Sequence, residues 1–94
     1  MISHRPIFRV HAIRRIFQRR IRDQEVQHVI ETGETIETYP EDSPYPSRLM
    51  LGWYASRPLH VVVADNAVEH ETIVITVYEP NRDQWEEGFK RKRQ

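Results

Sequence analysis

The feature that most limits what this chain can fold into is a change of rhythm at Gly33. Before it, Val10, Ile13, Ile16, Phe17 and Ile21 recur at helical spacing, and Val26, Val29 and Ile30 repeat the i, i+3, i+4 stripe of a second helix. After it the period falls to two, and β-branched and aromatic residues dominate. A sequence patterned for one period cannot bury a continuous face in the other. The spacing predicts a first helix from Ile7 to Arg22, then a second capped by Asp23, with Glu25 in its first turn and Gly33 at its end. Four strands are predicted near Glu34 to Tyr39, Arg48 to Tyr54, Pro58 to Asp65 and Glu71 to Tyr78. Pro40, Pro44 and Pro46, then Ala55 to Arg57, then Asn66 to His70 separate them, and such short connections favour an antiparallel meander. From Arg82 to Phe89 the i, i+4 pair Trp85 and Phe89 predicts a short helix. The expected fold is α+β: two N-terminal helices packed on a four-stranded antiparallel sheet, with a short C-terminal helix. All 94 residues then form one domain, and residues 90–94 are expected to be a frayed basic tail.

Strand alternation sharpens this. Leu59, Val61 and Val63 share one side of the third strand, and Ile73, Ile75 and Val77 one side of the fourth, so these odd-numbered faces are expected to meet the helices. His60 and Tyr78 would then project together on the open face.

The net charge is zero, yet the charges are segregated. Residues 1–22 hold seven arginines and no acid, residues 23–42 hold seven acids and no lysine or arginine, and residues 43–94 balance at seven of each sign. On the first helix His11, Arg15, Gln18 and Arg22 fall in one polar sector, away from the apolar arc. An arginine face suits bidentate contact with phosphate or with an acidic partner, unless the two blocks neutralise one another across adjacent helices. The longest apolar run is Val61 to Ala64, far short of a membrane span, and no apolar stretch follows the N-terminus as a secretory signal would require. Without cysteine, neither a disulfide nor a thiolate site can form, and a cytoplasmic setting is expected. The five histidines contain no His-x-x-x-His pair and the three glycines stand far apart, so no metal, no phosphate-binding loop and no cofactor is expected.

His11 lies one helical turn before Arg15, an arrangement in which an imidazole can move a proton while a guanidinium holds a phosphate. A solvated helix face is the plainer alternative. His60 sits in an apolar strand, where it is either a hydrogen-bonded structural histidine or part of a site. Tyr78 ends the last strand, aiming its hydroxyl into a cleft or capping the sheet. Tyr45, stiffened by Pro44 and Pro46, could stack on a base or pack on the sheet edge.

Taken together, His11-Ala12 with Arg15 and Arg19, Ile36-Glu37-x-Tyr39-Pro40, Pro44-Tyr45-Pro46-Ser47, Leu49-x-Leu51-Gly52, Arg57-Pro58-Leu59-His60-Val61-Val62 and Thr76-x-Tyr78-x-Pro80 with Trp85 resemble a bacterial domain family of unknown function. That family in turn resembles the RelE/ParE toxins of type II toxin–antitoxin systems. The resemblance implies two N-terminal helices on a small antiparallel sheet. It also implies a metal-independent mRNA endoribonuclease, acting on the ribosome or free, and neutralised by a cognate antitoxin-like protein. It carries His11, Arg15, His60 and Tyr78 over as catalytic positions. Arg19, Arg22 and Tyr45 are the expected RNA contacts. Arg20 stands where the family commonly has the glycine of an Arg-Gly-Ile turn.

Two further readings fit the same residues. One is a non-catalytic module whose arginine-rich helix docks an acidic protein. The other is a DNA reader, against which the zero net charge argues. The cleft expectation is specific: at least three of His11, Arg15, His60 and Tyr78 should converge, with Tyr45 at the rim.

Overall fold

The computed structural model describes residues 6 to 93. Arg5 of the basic block and Gln94 of the tail lie outside the described residues. Two helices, α1 (Val10–Gln18) and α2 (Asp23–Thr32), are followed by strands β2 (Glu34–Tyr39), β3 (Ser47–Tyr54), β4 (Arg57–Asn66) and β5 (Glu71–Tyr78). A two-residue strand ahead of α1, β1 (Ile7–Phe8), completes the sheet in the order β1-β5-β4-β3-β2. This corrects the four-stranded antiparallel expectation: β1 pairs parallel to β5, with Ile7 opposite Ile73 and Phe8 opposite Val74, so the sheet is mixed and five-stranded. Two residues are too few to show a strand period, and their apolar character had merged them with the helix that follows.

The C-terminal helix is also absent. Gly88 and Phe89 both adopt positive φ, at 88° and 61°, which no right-handed helix accommodates. The chain doubles back instead, with Trp85 bridging Lys92, the Glu86 N–H donating to the Arg91 carbonyl and the Arg93 N–H to that of Gln84. Lys90 pairs with Glu34 at 2.9 Å, so residues 90–93 are tied to the body. The i, i+4 spacing of Trp85 and Phe89 does bring both rings to the sheet, but from a folded-back loop. They cover Leu49 and Leu51 on the face away from the helices.

On the opposite face, Ala12, Ile21, Val26 and Val29 pack against Met50, Leu59, Val61, Val63, Val74 and Val77. The odd-numbered side of β4 therefore faces the helices, but β5 departs from its expected alternation. Val63 pairs with Val74 and Val62 with Thr76, leaving Ile75 as the extra residue of a bulge. Side-chain parity reverses there, so Val74 takes the place expected of Ile73 and Ile75. Without that extra residue, the register of Ala64 with Ile73 would set His60 opposite Val77; with it, His60 faces Tyr78. Close approach of α2 to the sheet depends on two glycines: a Cβ at Gly52 would stand 2.8 Å from both methyls of Val29, and one at Gly33 2.6 Å from the Leu51 carbonyl oxygen.

After Phe8 the Arg9 N–H bonds the Val74 carbonyl at 3.1 Å and the chain coils into α1, which continues along the β5 edge. Eight residue steps of helix rise about 12 Å, and the four steps of strand from Val74 to Tyr78 span about 13 Å. Helix and strand thus keep level, and Arg19 and Tyr78 line one hollow. The end of α1 is a Schellman turn, with the Ile21 N–H donating to Ile16 O at 2.8 Å and the Arg20 N–H to Phe17 O at 3.4 Å. Arg20 sits at φ 55°, the left-handed conformation in which a side chain costs about 1 kcal/mol and glycine costs little. Arg20→Gly is expected to stabilise the fold by about 1 kcal/mol in urea denaturation, and an unchanged or lower midpoint would refute the strain assigned to this turn.

Candidate functional site

The polar side of α1 forms a ridge along the sheet edge. At about 100° per residue, His11, Arg15 and Arg19 follow one another at single-turn spacing, while Ala12 and Ile16 turn to the core. The Arg15 Nε donates to His11 Nε2 at 3.4 Å, so in this arrangement the exposed His11 imidazole carries its proton on Nδ1 and directs its one lone pair at the guanidinium.

At the Arg19 end lies Tyr78, held from below by His60. His60 is fully buried and packs edge-on against Trp85 at 4.4 Å. Its Nε2 lies 2.8 Å from the Phe89 carbonyl and its Nδ1 3.1 Å from the Tyr78 hydroxyl. A carbonyl only accepts, so Nε2 bears the hydrogen and Nδ1 accepts from Tyr78. The phenol hydrogen is thereby directed inward, and the oxygen lone pairs face the hollow shared with Arg19, Asn81 and Gln84. Burial raises the Tyr78 pKa, Tyr39 and Glu37 raise it further, and Arg19 opposes them, so the phenol stays protonated.

At the other end, His11 and Arg9 border a hollow of about 350 Å³ closed by Pro44, Tyr45, Ala64 and Ile75. Tyr45 is fixed there by the Asn66 side-chain amide, which donates to its hydroxyl at 3.1 Å.

The structure therefore groups the expected site residues in two clusters: His11 with Tyr45 and, through its hydrogen bond, Arg15; and Arg19 with Tyr78 backed by His60. The hollow beside Tyr45 holds His11 alone of His11, Arg15, His60 and Tyr78, and the hollow beside Arg19 holds Tyr78 alone. Arg22 stands apart at the start of α2, over the Tyr54 ring and beside Glu25. His60 has no exposed surface of its own and bonds the Tyr78 hydroxyl. Sequence reasoning missed Arg57, whose guanidinium bonds Glu79, Glu25 and the backbone carbonyls of Arg19 and Arg20 and so anchors the Arg19 end of the ridge. It also missed Asp42, which lines the His11 hollow. Only the proximity of Arg57 to His60 in sequence hinted at the first, and nothing in the spacing pointed to the second. Among the described residues no cluster of three His, Cys, Asp or Glu could hold a metal ion, and no helix is long and apolar enough to cross a membrane.

Residues 8–79 match the family described as a domain of unknown function, DUF4258, and the chain belongs to that family. No curated protein and no solved structure gives a significant match.

Burial lowers the His60 pKa, with the Phe89 hydrogen bond opposing. The fold thus favours the neutral ring: its contribution is complete above the unfolded value of about 6.5 and is lost as pH falls toward the depressed folded value. Urea midpoints should drop as pH is lowered from about 7.5 to 5, and His60→Gln should remove that part of the slope. An identical slope in both proteins would show that another group governs it.

Proposed function

We propose that the chain is a cytoplasmic, toxin-like mRNA endoribonuclease of a toxin–antitoxin pair, related to the RelE/ParE superfamily, with α1 as its RNA-facing ridge. The reading rests chiefly on one observation: a basic imidazole and its partner guanidinium are presented on the exposed side of a helix that runs in step with β5 to the held hydroxyl of Tyr78. Arg15 and Arg19 engage successive backbone phosphates, and the arginine fork matches phosphate oxygens bidentately. As Arg15 turns to its phosphate it releases His11 Nε2, whose freed lone pair accepts the proton of an RNA 2′-hydroxyl. The 2′-oxygen bonds to phosphorus, the bond to the 5′-oxygen breaks, and water protonates the leaving oxygen. The products are a 2′,3′-cyclic phosphate and a 5′-hydroxyl, and no metal takes part. Tyr78, oriented by His60, contacts the neighbouring nucleotide. This makes His60 a positioning residue in place of the catalytic position that the resemblance implies.

His11→Ala is expected to reduce cleavage of an RNA substrate about 10²- to 10⁴-fold with an unchanged circular dichroism spectrum, and Tyr78→Phe to reduce it less. Cleavage by His11→Ala at the parent rate would sink the assignment. A 2′-deoxy linkage at the cut site should block the reaction.

The alternative reading, a module that binds an acidic partner, draws support from a separate observation. Phe17, Val10 and Ile13 are 85%, 66% and 48% exposed and form an apolar stripe beside Arg14. A two-fold contact between copies would set Arg14 against Arg14, whereas an amphipathic segment with acids along its edge complements both features. With a neighbour-encoded antitoxin-like protein as partner, Phe17→Asp should abolish co-purification and leave RNA cleavage intact. Undiminished co-purification would place the partner elsewhere.

A further inference from the structure

We propose that the hollow between the start of α1 and the loop before β3 is a subsite for one unpaired nucleobase bearing an exocyclic amino group, so that cytosine, adenine or guanine is accepted over uracil. The inference rests on the RNA reading of the α1 ridge and adds a base preference to it.

At about 350 Å³ the hollow lies at the small end of the range for small-molecule sites. Its apolar surfaces come from Pro44, Tyr45, Ala64 and Ile75. Ile75 lies on the same face of the sheet as Ala64, whose partner is Ile73. The Tyr45 ring cannot swing freely: Asn66, only 6% exposed, donates to its hydroxyl and is itself held by Glu71 and the Glu69 N–H. A fixed aromatic beside prolines offers a stacking surface at little entropic cost, which suits a splayed-out base. Arg9 and His11 flank the opening and place positive charge and the basic imidazole where the sugar and phosphate of the same nucleotide would lie.

Asp42 supplies the selectivity. One carboxylate oxygen, Oδ2, accepts from the Ser47 hydroxyl, which fixes the group, and Asp42 forms no ion pair among the described residues. A carboxylate is acceptor-only with about four lone-pair sites, so capacity remains for a donor entering the hollow. The exocyclic amino groups of cytosine, adenine and guanine are such donors. Uracil carries a carbonyl oxygen where cytosine has its amino group, so it offers the carboxylate only its ring N3–H and sets an acceptor against an acceptor beside it.

The test uses fluorescein-labelled tetranucleotides with 2′-O-methyl groups throughout, which remove the attacking hydroxyl so that binding is read without cleavage. Fluorescence anisotropy should show the all-cytidine or all-adenosine oligomer binding about tenfold or more tighter than the all-uridine one, the scale of one good base contact. Asp42→Asn keeps an acceptor for Ser47 but adds a donor, and should reduce that preference to within about threefold. Tyr45→Ala should weaken every oligomer. Equal binding of all oligomers, or a preference that survives Asp42→Asn, overturns the subsite even if unmodified RNA is cut. A base preference that depends on Asp42 in a chain that cuts no RNA upholds the subsite and removes the nuclease reading, and failure to bind any oligomer removes the subsite.

Discussion

Much of the architecture meets at one guanidinium. Arg57 opens β4, and its planar fork reaches three other elements: Nε bonds Glu79 just past β5 at 2.7 Å, Nη1 bonds Glu25 in α2 at 3.3 Å, and Nη1 and Nη2 bond the carbonyls of Arg20 and Arg19 beyond α1. Glu25 is buried and also accepts from the Arg22 N–H, which caps the start of α2. The carbonyls at the end of α1 would otherwise lack helical partners, and a cation there also complements the helix dipole. Lysine could not replace this arrangement, because a single ammonium has neither the reach nor the fixed angles of five coplanar donors. Since α1 touches the sheet mainly along β5, this anchor fixes the direction of the ridge that carries His11, Arg15 and Arg19.

The sheet serves as a wall between two unlike layers. Its helix-side face is an aliphatic core, whereas its other face holds Trp85, Phe89 and the buried chain from the Phe89 carbonyl through His60 to Tyr78. Two polar groups inside an apolar layer are tolerable because each ring nitrogen of His60 has a partner. The folded-back C-terminal segment is thus part of the site: it supplies the acceptor that sets the His60 tautomer, and the tautomer sets which way the Tyr78 hydroxyl points.

Sequence pattern revealed the two helices, the four longer strands and the joint projection of His60 and Tyr78, because each rests on a repeat sustained over several residues. It failed where one residue decides. The bulge at Ile75 leaves no mark in Thr72 to Tyr78, where both faces carry β-branched residues and a parity change conflicts with neither. The two residues of β1 are shorter than any period. Trp85 and Phe89 satisfy helical spacing, but Gly88 permits a reversal that brings the same rings to the same surface with less chain. Arg57 looked like a turn residue, since the groups that occupy it come from positions 19, 20, 25 and 79. Segregated charge correctly marked α1 as a basic surface but could not separate Arg22, which the start of α2 carries away toward Tyr54.

The exchange of strand for helix at Phe8 has an effect on how the molecule meets others of its kind. An exposed strand edge offers unpaired backbone groups on which a foreign strand can grow. Here α1 covers the margin of β5 from Val74 onward, while the opposite margin, β2, carries Glu34 and Glu37 and is interrupted by a bulge at Ile36. Both borders of the sheet are therefore poor templates for strand addition, and a small domain with an aliphatic interior is protected from amyloid-like stacking by the same turn of chain that lifts its arginines into solvent.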